Sequence, residues 1–340
     1  MAPKKVSVLV AGSWGTALSC VLSDNQHDVT LWSRNSTLAD EINALHRNRK
    51  FFSDILLSSS IKATSSIEEA VKNADAVILA APSSSMRDVA NRIRPHLSNR
   101  TLLIHATKGF ETDTLKRMTT VISDELPEYD GQRIVVLSGP SHAEEVILKY
   151  PTTVVVASQI LDCAQSAQDL LINSYFRVYT NPDTAGVELG GALKNIIALG
   201  AGLSDGLGFG DNAKAALMTR GLAEISRLGI AMGANPLTFS GLSGLGDLVV
   251  TCTSKHSRNW RAGFLLAQGK SVEEVLSQMG MVVEGIKTTK AAFSLAKQYQ
   301  VEMPITEELF HVLFKDKPPK MAVIDLMGRS RTHENEEIGN

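Results

Sequence analysis

Lys194 is the cation best placed for proton chemistry. It stands in the stretch Gly186–Gly210, GVELGGALKNIIALGAGLSDGLGFG, which reads as one long helix running into a glycine-rich break. At helical spacing Val187, Gly191, Lys194, Ala198 and Ala201 share a stripe, with small residues above and below the lysine. Leu189, Leu193, Ile196, Ile197 and Leu203 cover most of the remaining circumference. A helix apolar almost all round belongs in a core. An ammonium held there needs a partner or a lowered pKa. Two readings are open: a lysine whose stem packs while its head reaches water, and an acid/base lysine. Asn195 beside it and the stripe of small residues weigh towards the second.

A second chemical feature lies near the N-terminus. The apolar run Val6–Val10 feeds Ala11-Gly12-Ser13-Trp14-Gly15, and Thr16-Ala17-Leu18 then opens a helix. A strand, a glycine turn and a helix start form the setting of the dinucleotide fingerprint, in which backbone N–H groups at the helix end hold a pyrophosphate. The motif would place glycine where Val10 stands. Either the strand runs one residue further, or the valine strains the turn and crowds the dinucleotide; a glycine at this point serves shape rather than chemistry, which favours crowding. A plain glycine turn is the competing reading. The next strand, Asp28–Trp32, ends in Ser33-Arg34-Asn35 rather than in an acidic residue that would hold a ribose diol. Arg34 suits a ribose 2′-phosphate, so the cofactor leans to NADP with NAD open, against the alternative of a surface arginine. Lys108 follows the strand Thr101–His105, and Ser138-Gly139-Pro140-Ser141-His142-Ala143-Glu144 follows Ile134–Leu137. The carboxyl ends of parallel strands are where such folds bind ligands. The basic knot His46-Arg47-Asn48-Arg49-Lys50 is either a solvated loop or a neighbour of cofactor phosphates.

These residues need elements to position them. Strand-like runs continue at Ala76–Ala81, Thr152–Ala157 and Phe176–Tyr179, which gives at least six βα-type repeats before residue 182. That predicts an α/β fold, an open doubly wound Rossmann-type parallel sheet. After Pro182 only helical stretches remain, among them Ala213–Leu228, Asn259–Ala267, Val272–Met279, Glu284–Gln298, Glu307–Leu313 and Ala322–Gly328. A glycine-rich turn over 241–246 delivers Asp247, and Ser257 is placed to cap the helix that follows. The expected organisation is a dinucleotide-binding domain over 1–183, an all-helical substrate and catalytic domain over 184–330, and a disordered polar tail over 331–340.

Composition narrows the function class. The 340 residues carry a net charge of −2, which argues against nucleic acid as a partner. Three cysteines, Cys20, Cys163 and Cys252, lie far apart without metal-ligand spacing, so no metal is expected and reduced structural thiols fit best. No signal peptide is visible. Glu188, Lys194 and Asn195 interrupt the apolar helix, which excludes a membrane span; the reduced thiols point to a cytoplasmic protein.

Seven segments together carry a resemblance: ATKGFE at 106–111, GPSHAEE at 139–145, GGALKNIIALGAGLSDGLGFG at 190–210, GLGDLVVTCTS at 244–254, SRN at 257–259, VVEG at 282–285 and EMPITEE at 302–308. In this order and spacing the chain resembles the bacterial-type NAD(P)-dependent sn-glycerol-3-phosphate dehydrogenase family from the glycine turn to about Arg331. It departs at Val10 and over His46–Ser53, which lacks a Leu-Pro pair common in the family. The resemblance implies NAD(P)-linked interconversion of dihydroxyacetone phosphate and sn-glycerol 3-phosphate, feeding phospholipid synthesis, with Lys194 as acid/base. It implies that Lys108, Gly139, Ser141, Lys194, Asp247, Ser257, Arg258 and Asn259 bind a small phosphorylated substrate. It implies cofactor contacts at Gly12, Ser13, Trp14, Gly15, Arg34, Lys108, Ala143, Arg258, Val282 and Glu284, and a homodimer. Two rivals are weighed against it. Hydroxyacid and 6-phosphogluconate dehydrogenases also use a central helix lysine but lack the Asp247 turn with Ser257-Arg258-Asn259. A non-catalytic NAD(P)-binding redox sensor would not need the Lys194, Asp247 and Arg258 set.

Overall fold

The computed structural model describes residues 2–280, 282–331 and 333; nearly all of the tail expected to be disordered lies outside them. The chain divides into two compact units, one of residues up to Lys108 with Lys116–Thr184, the other of Gly109–Leu115 with Ala185 onward.

The first unit is built on eight strands: β1 (Lys5–Leu9), β2 (Asp28–Trp32), β3 (Lys62–Thr64), β4 (Ala76–Leu79), β5 (Leu102–His105), β6 (Val135–Ser138), β7 (Thr152–Ala157) and β8 (Phe176–Asn181). They form one sheet in the order β3-β2-β1-β4-β5-β6-β7-β8. Apolar runs such as the fully buried AVIL of β4 suit a sheet covered on both faces. Helices α1 (Ser13–Asp24), α2 (Ser36–Leu45), α6 (Ala143–Val146) and α7 (Leu161–Leu171) share one apolar cluster with the sheet. Helices α3 (Ile67–Val71), α4 (Met86–Ile93) and α5 (Met118–Glu125) pack into the cluster on the other side.

Three details differ from the sequence reading. Strand β1 ends at Leu9, and Val10 takes a left-handed φ of 84° instead of extending the strand. Strand β3 is three residues of mixed character, too short to show a pattern. Strand β7 runs antiparallel to β6, whereas every other neighbouring pair is parallel. The link between β6 and β7 holds only the single helical turn α6, whereas a parallel neighbour is usually reached through a full crossover helix.

The second unit is helical. Its axis is α8 (Thr184–Gly206), in which every residue from 186 to 204 is buried. Around it lie α9 (Gly210–Ala231), α10 (Pro236–Phe239), α11 (Asp247–Thr253), α12 (Arg258–Ala267), α13 (Val272–Met279), α14 (Glu284–Gln298), α15 (Pro304–Phe314) and α16 (Pro319–Met327). Phe110 joins the apolar cluster of this unit, which explains why 109–115 belongs with it. The three thiols are free, and burial pushes those of Cys20 and Cys252 up to about 12.

Candidate active site

In the helical unit the lysine has found a partner. Lys194 is 6% exposed, and its Nζ lies 2.5 Å from Asp247 Oδ1 and 2.5 Å from Thr251 Oγ1. Asp247 is fully buried at the start of α11. The Thr251 hydroxyl donates to the Asp247 carbonyl at 2.6 Å, one helical turn back, which presents its lone pairs to the lysine. Asp247 therefore holds the ammonium head instead of capping its helix. The environment of Lys194 is correspondingly an ion pair, and not the apolar helix alone.

The backbone makes this contact possible. Residues 242–246 form a π-helical turn that enters α11 directly. Gly190, one turn before Lys194 on α8, faces that turn so closely that a Cβ would stand 2.6 Å from the Ser243 carbonyl oxygen. A side chain there would push Asp247 away from the lysine.

Asn195 continues the network. Asn259 Nδ2 donates to Asn195 Oδ1 at 2.8 Å, and the Gly285 N–H donates to Asn259 Oδ1 at 2.8 Å. One buried carboxamide thus ties the residue beside the lysine to the first turn of α14, where Glu284 and the preceding Val282 sit. Ser257 Oγ accepts the Trp260 N–H and caps α12 as expected, with exposed Arg258 as the helix's first residue.

The sheet unit gathers its own set. Gly12 is the N-cap of α1 and has no side chain to cap it, which suits the N–H groups around Ser13 and Trp14 to an anion. Gly15 fits against the turn so tightly that a Cβ would lie 2.2 Å from the Val10 carbonyl oxygen. The turn is a cradle of bare backbone at a helix N-terminus, which fits a dinucleotide pyrophosphate. The Val10 side chain packs partly against the cluster of α3, α4 and α5. Lys108 Nζ and Ser141 Oγ both donate to the Gly139 carbonyl, at 3.1 and 2.9 Å. Ala143 begins α6 and is buried. Arg34 is exposed just past β2.

The structure thus brings together Lys194 with Asp247, Asn195 with Asn259, and Lys108 with Gly139 and Ser141. Thr251 was absent from the residues singled out in the sequence. Its signal was there: Asp247 and Thr251 are four apart, one face of one helix.

Comparison with known proteins points one way. The N-terminal profile of NAD-dependent glycerol-3-phosphate dehydrogenase matches residues 5–164, and the C-terminal profile matches 183–324. A Bacillus subtilis protein named glycerol-3-phosphate dehydrogenase [NAD(P)+] is 56% identical over 337 residues, 99% of this chain and 98% of the relative. A Bacillus cereus protein of the same name is 59% identical over 334 residues, 98% of each chain. Among solved structures, the glycerol-3-phosphate dehydrogenase of Coxiella burnetii superposes with a TM-score of 0.91 at 37% identity, covering 96% of this chain and 99% of that one.

Proposed function

Because the chain belongs to the NAD-dependent glycerol-3-phosphate dehydrogenase family, we propose that the buried Lys194–Asp247–Thr251 cluster is its proton-transfer centre. The protein is an NAD(P)-dependent oxidoreductase interconverting dihydroxyacetone phosphate and sn-glycerol 3-phosphate. The nicotinamide cofactor, when bound, supplies or accepts the hydride. What falls to the chain itself is the proton and the charge at the substrate's central oxygen. As an ammonium, Lys194 stabilises the oxygen as it becomes an alkoxide and gives up a proton to it. In the reverse direction the free amine takes the alcohol proton. Asp247 and Thr251 hold Nζ in place and balance its charge, so the lysine need not reorient during the step.

The substrate phosphate goes to Arg258 and Asn259, where a side-chain cation and helix N–H groups occur together; Ser257 keeps that helix start in place. Lys108, Gly139 and Ser141 complete the substrate contacts. Gly12, Ser13, Trp14 and Gly15 hold the pyrophosphate, Arg34 the ribose end, and Lys108, Ala143, Arg258, Val282 and Glu284 the remainder of the cofactor. A homodimer in the cytoplasm is part of the same proposal, for which light scattering reads the mass. Among the described residues no helix is long and apolar enough to cross a membrane.

The observation that carries the reading is the 2.5 Å approach of Lys194 Nζ to a fully buried carboxylate. Purified protein should oxidise NADPH or NADH on adding dihydroxyacetone phosphate. Lys194→Ala should lower turnover by about two to four orders of magnitude, with NADPH affinity little changed. Turnover at the level of the parent protein would remove Lys194 from the proton step.

A further inference from the structure

The segment 46–53 is the motif that the proposed function leaves without a role. It forms a tight loop in the sheet unit. His46 is left-handed, with φ 49°, and its carbonyl accepts the Leu57 N–H at 2.7 Å. The N–H groups of Phe51 and Phe52 both donate to the Asn48 carbonyl, at 3.1 and 2.8 Å. Phe52 is buried in the cluster beneath α1 and α2. The basic residues are the loop's outer face, and Asn48 is its inner one.

Asn48 is 0% exposed. Its Nδ2 donates to the Ala11 carbonyl at 3.1 Å and to Thr16 Oγ1 at 2.9 Å. Ala11 lies within the glycine turn and Thr16 in the first turn of α1, so one amide group grips both ends of the motif. A backbone carbonyl can only accept, which fixes the orientation of the carboxamide. Among the described residues its Oδ1 has no hydrogen-bond partner, though it is buried. An unmet buried acceptor lowers stability, so the gain from this carboxamide lies in what its nitrogen holds.

What it holds is a strained turn. Val10, a β-branched residue, sits at φ 84°, a region that such side chains avoid. The N–H groups of Val10 and Ala11 are both anchored on the Trp32 carbonyl at 3.0 Å. Those bonds fix the entrance to the turn. The Ala11 carbonyl, at its centre, is fixed by Asn48. Strained backbone persists only where its surroundings over-determine it.

We propose that Asn48 is a positioning residue for cofactor binding, clamping Ala11 to Thr16 so that the turn keeps the shape that receives the dinucleotide. The inference rests on the reading that the Gly12–Gly15 turn holds the cofactor. Asn48→Asp keeps the shape and replaces the donor with an acceptor. Thr16→Val removes one of the two acceptors, and Thr16→Ser retains it. Gly15→Ala places a Cβ 2.2 Å from the Val10 carbonyl oxygen and probes the turn itself.

The decisive measurement is a fluorescence titration of each variant with NADPH, alongside melting temperatures and the KM for each substrate. Asn48→Asp should weaken NADPH about tenfold or more and Thr16→Val several-fold, Thr16→Ser remaining close to the parent protein. The KM for NADPH should rise while that for dihydroxyacetone phosphate stays within about twofold, because the clamp touches only the cofactor turn. In a Val10→Gly background the Asn48→Asp loss should shrink, since glycine adopts the positive φ without strain. A folded Asn48→Asp protein with the parent affinity overturns the clamp. If that variant does not fold, Thr16→Val with the parent affinity overturns it equally. A parallel rise of both KM values assigns Asn48 to general stability and also overturns it. Undiminished binding by Gly15→Ala sinks instead the assignment of the turn to the cofactor.

Discussion

At the scale of single residues, the centre is an ion pair removed from water, and its energetics are asymmetric. Lys194 and Asp247 are 6% and 0% exposed. Taking both charges into the interior is offset by their short contact and by Thr251. Deleting one partner leaves the other charge buried and unbalanced. Asp247→Ala should therefore destabilise the protein by about 3–5 kcal/mol. The double variant Lys194→Met with Asp247→Leu should recover most of that loss while remaining inactive. Denaturant midpoints of the two variants decide it, and an Asp247→Ala protein as stable as its parent would mean that the pair is not buried in solution. Arg34 stands at the other extreme, exposed and past the end of β2. In the proposed site its partner is the 2′-phosphate, which only NADPH carries. Arg34→Ala should weaken NADPH by about 1.5–3 kcal/mol and NADH hardly at all; equal losses for the two cofactors would make Arg34 a structural residue. The lysine, the glycines and the arginine could be read from the sequence because their types are conspicuous against apolar surroundings. Thr251 left only its helical spacing from Asp247 as a signal, and Asn48 left none, since it matters only through partners that folding brings to it.

At the scale of elements, α8 is the part on which the others are seated. The closest packing on α8 falls to glycines beside the stripe that carries Lys194, not to its members. A Cβ on Gly202 would lie 1.8 Å from the Trp260 carbonyl oxygen, and one on Gly263 of α12 would lie 1.9 Å from that of Leu199. Two helices thus approach backbone to backbone, which brings Asn259 within reach of Asn195. Gly190 does the same for the turn carrying Asp247. The neighbour it meets is main-chain oxygen, which cannot swing aside as a flexible side chain would. Gly190→Ala should accordingly separate α8 from the 242–246 turn, costing about 1–3 kcal/mol of stability. Turnover should fall more steeply than stability, because displaced Asp247 no longer fixes Lys194. An active Gly190→Ala enzyme with an unchanged melting temperature would show that the turn yields without disturbing the pair.

At the scale of the whole molecule, the architecture was legible because strands buried on both faces must be apolar runs, and because glycine marks their ends. The change to helices after Pro182 was equally plain. The antiparallel β7 and the allegiance of 109–115 to the helical unit were not, as both depend on long-range packing that no local pattern records. Glu224 belongs to this class as well. Nothing in the α9 sequence sets it apart, yet it is 1% exposed and receives the N–H groups of Ile305, at 2.5 Å, and Thr306, at 3.1 Å, together with the Thr306 hydroxyl at 3.0 Å. It caps α15 from another helix. Burial pushes its pKa up to about 7, against the pull of those three donors and of the nearby Arg227. Unfolded, the same carboxyl titrates near the ordinary value of about 4.3. Between these values the native state keeps a proton that the unfolded state has released. Stability from this group is therefore complete at acid pH, declines as pH rises towards 7, and is level above it. The decline amounts to about 4 kcal/mol at most. Denaturant midpoints at pH 5, 6, 7 and 8 should fall and then flatten, and Glu224→Gln, which cannot titrate, should remove most of that slope. An identical slope in the variant would show that Glu224 is ionised throughout this range, its three donors outweighing the cost of burial.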